Sequence, residues 1–577
     1  MRNLAFATPP AVLVAGSAEL AHPIAAGLRR HGRPARLWLS QQKGSNWLLA
    51  AETLILADPT NPAEAIAEAA DLCSKRAKTR PPLRLILLRR QGPAPERPPL
   101  DTALRLRLEY VALEDRAARL LLTRYPLHSG FDPRFNQPPH LLIAGTEPPS
   151  GSLLVQALRV SHYGPEPAHI TIACTQPAHE RSEFFARYPE AGQAAKLTFT
   201  RLEAPSLDDA PPVTSAYVCL SPAERGLMTA RRLIDLIREL HRTSPLVHLE
   251  VGDATSAGSI RDWDGQILPF SYLDQVARPE VLLGEKGDEL AELIHEHYRD
   301  TIMAQGRNPS QEPAGQPWDA LDESYRNASR HQADHIWAKL AVTDCCAVAE
   351  DIVDTFAFTP MEVERLAVIE HRRWAADRYL DGWSFAPERD NVRKHHPLLI
   401  PFEQLSVPIK DLDRFAVRLV PTLLARRALG LVRSLLVGIP DDSGPLTKAT
   451  ADAILKRLAA RYPDRRLILA STLEGGAARR LVQSALRRAS AELYLLCRQP
   501  LCHTLEIQSD ERTRIELLTL AAKASRRYCF ADGPTLNQWY RERTEIIVTT
   551  GEAARGWDGK TIEVLPTGGG VRWGFEY

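Results

Sequence analysis

Residues 359–424 read TPMEVERLAVIEHRRWAADRYLDGWSFAPERDNVRKHHPLLIPFEQLSVPIKDLDRFAVRLVPTLL, and the reading of the whole chain turns on them. Thr359 can cap a helix, Pro360 suits its first position, and Glu362 stands where a capping box needs an acid. Val363, Ala367, His371 and Trp374 follow at helical spacing, so His371 and Trp374 share a face with apolar residues. Asp381-Gly382 is a stop signal. Trp383 comes next, then Pro387-Glu388-Arg389-Asp390, then the basic run Arg393-Lys394-His395-His396-Pro397. Leu398–Phe402 is expected to be short and extended, and a second helix is predicted from about Pro408 to Leu424.

The pattern resembles the RyR domain, a module named for ryanodine receptors and also found alone or fused in bacterial proteins. It is carried by His-x-x-Trp (His371, Trp374), Gly-Trp (Gly382, Trp383), Arg389-Asp390 and Lys-x-His-Pro (Lys394, His396, Pro397). Pro401-Phe402 with Leu405-Ser406, and Asp413-Arg414 before the last helix, complete it. Two positions depart from the family: Arg372 stands where an acid is common, and Phe385-Ala386 replaces an aromatic-glycine pair.

Chemistry suggests a nucleotide-shaped cleft lined by His371, Trp374, Trp383, Arg389 and Lys394. A base needs a flat apolar surface, and stacking on an aromatic ring contributes about 1–3 kcal/mol. Phosphates need positive charge. Arg389 can grip two oxygens and Lys394 acts as a point charge. The competing reading makes the tryptophans core anchors, His371 a satisfied interior histidine, and Arg389 a partner of Asp390 or Glu370.

A chain of 577 residues exceeds one core, and its 44% apolar and 25% charged residues are those of a globular protein. Lys plus Arg (72) nearly balance Asp plus Glu (71), which argues against coating nucleic acid. No apolar run approaches the ~18–20 residues needed to span a bilayer. The opening run to Ala15 reads better as a strand entering a glycine turn than as a signal peptide. Eight scattered cysteines form no Cys-x-x-Cys pair, so reduced thiols in a cytoplasmic protein are expected, and no metal site.

Residues 8–130 alternate strands and helices: Ala11–Ala15, Ala35–Leu39, Thr53–Ala57 and Leu83–Leu88, with a helix at Pro62–Cys73. The alternation restarts at His140 and continues through His169–Ala173, Ala216–Leu220, the helix Thr229–Leu240 and Val247–Val251, making a unit of 138–305. Both units look like the TrkA-type nucleotide-binding domain of potassium-uptake regulators. Their dinucleotide fingerprints are degenerate: Gly16, Ala18, Ala21 in one, and Gly145, Glu147, Ser150-Gly151 in the other. Neither places an acid after its second strand to hold a ribose, so NAD is not expected as a cofactor.

Residues 304–317 read as a linker. A polar-faced helix then runs to Leu340, and 318–428 form the RyR-like unit with this preceding helix. On it, His331, Asp334 and His335 share a face, better explained by packing contacts than by a metal.

From Leu431 a further α/β unit, 430–577, is similar to the SLOG superfamily of nucleotide sensors and nucleotide-processing enzymes. Its glycine loops Ser471–Ala477 and Trp557–Thr561 are each predicted after a strand and before a helix, with Ser471, Gly475, Gly476, Asp558, Gly559 and Thr561 as ligand contacts. Ala478 replaces a frequent aspartate, and Gly438-Ile439-Pro440 replaces Gly-His-Arg.

The expected fold class is therefore multidomain α/β: three doubly wound Rossmann-like units plus a mainly helical RyR module. Together the resemblances imply a cytoplasmic nucleotide-sensing regulator, not an enzyme, binding a second messenger of ADP-ribose or cyclic-nucleotide type in a bacterial antiviral or ion-regulation system. The ligand itself is not identified by the sequence. The expected partners are that nucleotide, an effector or membrane partner in trans, and further copies of the chain. One alternative is a SLOG-type hydrolase with Glu474 or Glu563 as acid/base. The other is a non-catalytic scaffold.

Overall fold

The computed structural model describes residues 12–38, 50–76, 81–90, 105–135, 138–241, 243, 245–253, 266–283, 288–349, 356–440, 446–487, 491–498, 501–508, 510–530, 533–550 and 561–565. The chain is mixed α/β and contains several parallel sheets.

The first sheet comprises β1 (Val12–Gly16), β2 (Ala35–Leu37), β3 (Thr53–Ala57), β4 (Leu83–Arg89) and β5 (Leu106–Ala112). Its order is β2-β1-β3-β4-β5, all parallel. The second comprises β6 (His140–Ala144), β7 (His169–Cys174), β8 (Lys196–Arg201), β9 (Ser215–Val218), β10 (Val247–Glu250) and β11 (Ile267–Phe270). Its order, β11-β10-β9-β6-β7-β8, reverses direction between β6 and β9, as a doubly wound dinucleotide fold does.

The third sheet takes β12 (Cys345–Ala349), skips the two-residue pair β13 (Ser384–Phe385) and β14 (His395–His396), and continues with β15 (Leu429–Ile439) and β16 (Arg465–Ser471). β17 (Ala491–Cys497), β18 (Arg526–Cys529), β19 (Ile546–Thr550) and β20 (Thr561–Leu565) complete it. The parallel order is β18-β17-β16-β15-β19-β20, and β12 pairs antiparallel with the first half of β15. The three sheets begin where the apolar runs restart. β5, β8, β11, β12, β18 and β20 were not foreseen, because none carries the long apolar run of a buried parallel strand: β5 and β8 alternate apolar with polar residues, β11 is four residues with a proline, and β18 opens on two arginines.

Between the second and third sheets lie the helices Glu323–Asp334, Ile336–Val342, Pro360–Leu380 and Val407–Ala425. The single helix expected up to Leu340 breaks at His335, whose ring reaches the His162 carbonyl at 2.9 Å. Leu398–Phe402 is not extended either; it turns into the short 3-10 helix Phe402–Gln404. Nor is 304–317 a free linker: its 3-10 turns fold back on the helix Glu289–Ala304, where His295 Nε2 meets the Gln316 carbonyl at 2.7 Å and Arg299 donates to that of Gly315.

One apolar core runs through the first sheet's helices, the second sheet and the central helices, from Leu20 and Leu121 through Leu158 to Leu366 and Val417. The third sheet has its own core on each face, around Leu455 and Leu481 on one side and Trp539 and Tyr540 on the other.

Of the buried histidines around the second sheet, His140, His162 and His248 are held neutral. Burial pushes His140 down to about 4, and His162 and His248 down to about 3. A folded value below the ordinary 6.5 means the stability is complete above that pH and declines as pH falls toward 4 and 3. Thermal melts at about pH 7.5, 6 and 4.5 should therefore show a falling Tm as these groups are forced to charge. A flat Tm across that window would exclude this account.

Candidate functional site

The helix Pro360–Leu380 begins with the expected capping box: Thr359 Oγ1 accepts from the Glu362 amide at 3.3 Å, and the Glu362 carboxylate accepts from the Thr359 amide at 2.8 Å. It ends in a Schellman motif. The Trp383 amide returns to the Arg378 carbonyl at 2.9 Å, that of Gly382 returns to Tyr379, and Gly382 takes φ +79°. Only glycine adopts that angle without strain, so the turn sets where Trp383 points.

A chain of rings follows from this geometry. His371 stacks on Trp374 at 5.5 Å, Trp374 meets His396 edge-on at 5.1 Å, and His396 meets Trp383 edge-on at 5.9 Å. Phe402 closes the far end against His371 at 6.0 Å. His396 is buried, and its Nδ1 accepts from the Leu398 amide at 3.1 Å. Burial, with Arg389 and Arg378 nearby, holds it below the ordinary histidine range, so a neutral ring separates the two tryptophans.

His371 does not reach out for a ribose or phosphate as expected. It is buried, with Nε2 2.8 Å from the Ile400 carbonyl and Nδ1 3.3 Å from Asp413 Oδ2. A carbonyl can only accept, so Nε2 carries a proton. Burial raises the Asp413 carboxyl above its ordinary range. His371 thus positions Trp374.

Trp374 and Trp383 are half-buried. The Arg378 and Arg389 guanidiniums lie 6.0 and 5.9 Å from the Trp383 ring centroid. Arg389 is exposed and pairs with neither Asp390 nor Glu370; its Nε donates to Asn391 Oδ1 at 2.9 Å. Arg378 Nε is buried with no partner among the described residues. Sequence reasoning missed Arg378, and it named His396 in the motif without placing it between the tryptophans. Arg378 could have been found, since it follows Trp374 by one helical turn.

Lys394 is exposed, takes φ +55°, and donates to the Asp381 carbonyl at 2.6 Å, where a cation suits a helix C-terminus. The five residues expected in one cleft are divided. Arg389 borders a cavity of about 560 Å³ with Pro387, Asn391 and His395, while Lys394 borders a separate cleft of about 900 Å³. Both tryptophans and His371 border neither.

In the third sheet, Ser471 is buried at the end of β16, and its Oγ accepts from the Leu473 amide at 3.1 Å. Gly475 caps the helix Gly476–Leu486. Arg479 folds back over this loop, donating to the Leu473 and Glu474 carbonyls at 2.9 and 2.7 Å and meeting Glu516 at 3.2 Å. The second loop is not followed by a helix: Thr561 opens strand β20, because Thr561–Leu565 is a β-branched, apolar run that pairs parallel with β19. Register sets Thr561 beside Ile546 at the start of β19, whereas Ser471 lies at the carboxyl end of β16. Asp558 and Gly559 lie outside the described residues.

His331, Asp334 and His335 diverge to different partners. His331 meets Asp377 at 2.9 Å, Asp334 takes both donors of Arg119 at 2.7 and 2.8 Å, and His335 bridges His162 and Lys339. Among the described residues no cluster of three or more His, Cys, Asp or Glu side chains could hold a metal. No described helix is long and apolar enough to cross a membrane.

Comparison with known families places a match here: the model described as RyR domain covers residues 359–427. That span is the helix Pro360–Leu380, the ring cluster and the helix Val407–Ala425, so this part of the chain is similar to an RyR domain. No curated protein matches the chain.

Proposed function

We propose that the chain is a nucleotide-sensing regulator that binds its ligand at the Trp383 face of the RyR-like segment. One observation carries this reading: a half-buried tryptophan is flanked by two guanidiniums that have no carboxylate partner among the described residues. A base stacks on such a ring, and a phosphate engages such guanidiniums. Trp374, Trp383, Arg389 and Arg378 make the contacts. Lys394 holds the turn, and His371 holds the ring stack. The domain division 8–130, 138–305, 318–428 and 430–577, the TrkA-like and SLOG-like resemblances, a cytoplasmic location, an effector in trans and a role in phage defence belong to the same proposal.

Thermal shift and calorimetry with ADP-ribose, cyclic nucleotides and NAD test it. A shift without turnover is expected for an ADP-ribose or cyclic nucleotide, with little response to NAD. Arg389→Ala should weaken the response about tenfold or more, since a charged hydrogen bond contributes about 1.5–3 kcal/mol. A full-amplitude response in the variant would remove the Trp383 face as the site.

A second reading is favoured by Gly476. It is exposed, and a Cβ there would meet only Arg479 Nη2, at 3.8 Å, so packing does not require glycine. Backbone approach to a phosphate would. If nucleotide turnover is seen, this loop, with Glu474 nearby, is the first place to look.

A further inference from the structure

The cleft of about 900 Å³ lies where the carboxyl end of β5 and the helices Leu113–Arg124, Ser150–Val160 and Pro177–Arg187 meet the end of the helix Pro360–Leu380. Open parallel sheets bind ligands beyond the carboxyl ends of their strands. Its volume falls in the range of small-molecule sites, about 300–1,000 Å³.

Its cations are not equivalent. Arg119 is matched by Asp334 through two hydrogen bonds. Arg330 is matched by Asp288 at 2.9 and 2.6 Å and by Glu323 at 2.5 Å. Arg116, on the helix Leu113–Arg124, also lines the cleft but has no hydrogen bond or ion-pair contact among the described residues. Burial lowers it to about 10; Asp288 and Glu323 attract it from a distance, and Arg119 and Arg330 repel it. Three carboxylates stand against the three guanidiniums, but Arg116 is the half-buried one that none of them touches, so its donors are left to meet an anion in the cleft. Further cations line the cleft: Lys394, already donating to a carbonyl; Arg159, 3.6 Å from Asp377; and Arg187, over the Tyr188 ring.

The carboxylates of the cleft set what else the ligand carries. Asp115 is exposed and accepts from Ser152 Oγ at 2.6 Å. Glu180 and Glu183 lie on the helix Pro177–Arg187. Like Asp381, they are acceptors only, suited to hydroxyl groups and opposed to further phosphates.

We propose that this cleft is a second ligand site, for a sugar phosphate whose phosphate lies on Arg116 and whose hydroxyls donate to the Glu180 and Glu183 carboxylates. The site is separate from the Trp383 face, and its occupant draws the first two sheets and the RyR-like segment together.

The test uses the full chain, with ribose 5-phosphate, inorganic phosphate and pyrophosphate as probes against sodium chloride of equal ionic strength. Saturable stabilisation by ribose 5-phosphate, beyond that of inorganic phosphate, is expected. Arg116→Gln should weaken it at least tenfold, Glu180→Gln/Glu183→Gln should reduce ribose 5-phosphate to the level of inorganic phosphate, and Arg389→Ala should leave it unchanged. In phosphate-free buffer Arg116→Gln should melt close to the parent, because Arg116 has no hydrogen-bond or ion-pair contact among the described residues to lose. Lys394→Gln, an exposed change, should weaken binding in the same direction, and because Lys394 also holds the Trp383 turn it is read beside Arg389→Ala. Stabilisation no greater than that by sodium chloride, undiminished binding by Arg116→Gln, or a lower melting point of that variant without ligand would overturn the proposal. A response abolished by Arg389→Ala would instead assign binding to the Trp383 face.

Discussion

Glu370→Gln should lose about 3–5 kcal/mol of stability at neutral pH, because it leaves buried cations without their counter-charge. Glu370 meets Lys339 Nζ at 2.7 Å and accepts from Arg373 at 2.9 and 3.1 Å. Lys339 is only 2% exposed. Arg373 continues to Asp377 at 2.5 Å, and Asp377 meets His331 at 2.9 Å and Arg159 at 3.6 Å. The network ties the helix Pro360–Leu380 to Ile336–Val342, Glu323–Asp334 and Ser150–Val160. Although burial alone would raise the Glu370 carboxyl, Arg373 and Lys339 outweigh it and depress the carboxyl to about 2. Its contribution is therefore complete above the ordinary 4.5 and is lost as pH falls through about 2. Urea melts at about pH 7 and pH 3 check both points: the gap between parent and variant should narrow at the lower pH. Lys339→Met/Glu370→Leu should recover much of the loss, since apolar replacement of a whole buried pair is often neutral. A gap below about 1 kcal/mol at pH 7 would show that the network contributes little.

Gly145→Ala should cost about 3 kcal/mol or more through strain and collision together. Gly145 leaves β6 with φ +95°, and a Cβ there would stand 2.0 Å from the Cys219 carbonyl oxygen and 2.7 Å from Leu220 Cδ2. Backbone on the neighbouring strand cannot yield as a flexible side chain does. Gly476→Ala is the control, expected within about 0.5 kcal/mol because its Cβ meets nothing closer than 3.8 Å. Equal melting points for the two variants would refute the argument.

Gly145 also shows what sequence can and cannot tell. Read along the chain, it is the remnant of a phosphate-binding fingerprint; in space, its positive φ and the Cys219 carbonyl just past the parallel neighbour β9 demand it. The βαβ restarts and the capping box were legible because they depend on neighbours within a few residues. The site was legible only in part. Arg389 lies by Trp383, and Trp374 is linked to that ring only through His396, while His371 is closed off by Ile400 and Asp413, contacts that span 29 residues and 42 positions of sequence. Lys394 faces another cleft because its left-handed backbone, unforeseeable from a lysine, turns it toward Asp381. Arg116 carried no local signal, since it is left without a contact among the described residues only once Asp334, Asp288 and Glu323 have taken its neighbours.

The helix Pro360–Leu380 also has a mechanical aspect. It is 21 residues, about 31 Å, in one unbroken piece. One end is the Gly382–Trp383 turn. At the other end Glu362 grips Arg433 at 2.6 and 2.9 Å, within β15. β15 follows the helix Val407–Ala425 after only Arg426–Ala428, and it lies inside the third sheet between β16 and β19. The helix is a push rod seated on an interior strand. Load applied at the tryptophan arrives in the middle of the distant sheet, where strands on both sides must move with it, and not at an edge that could yield alone.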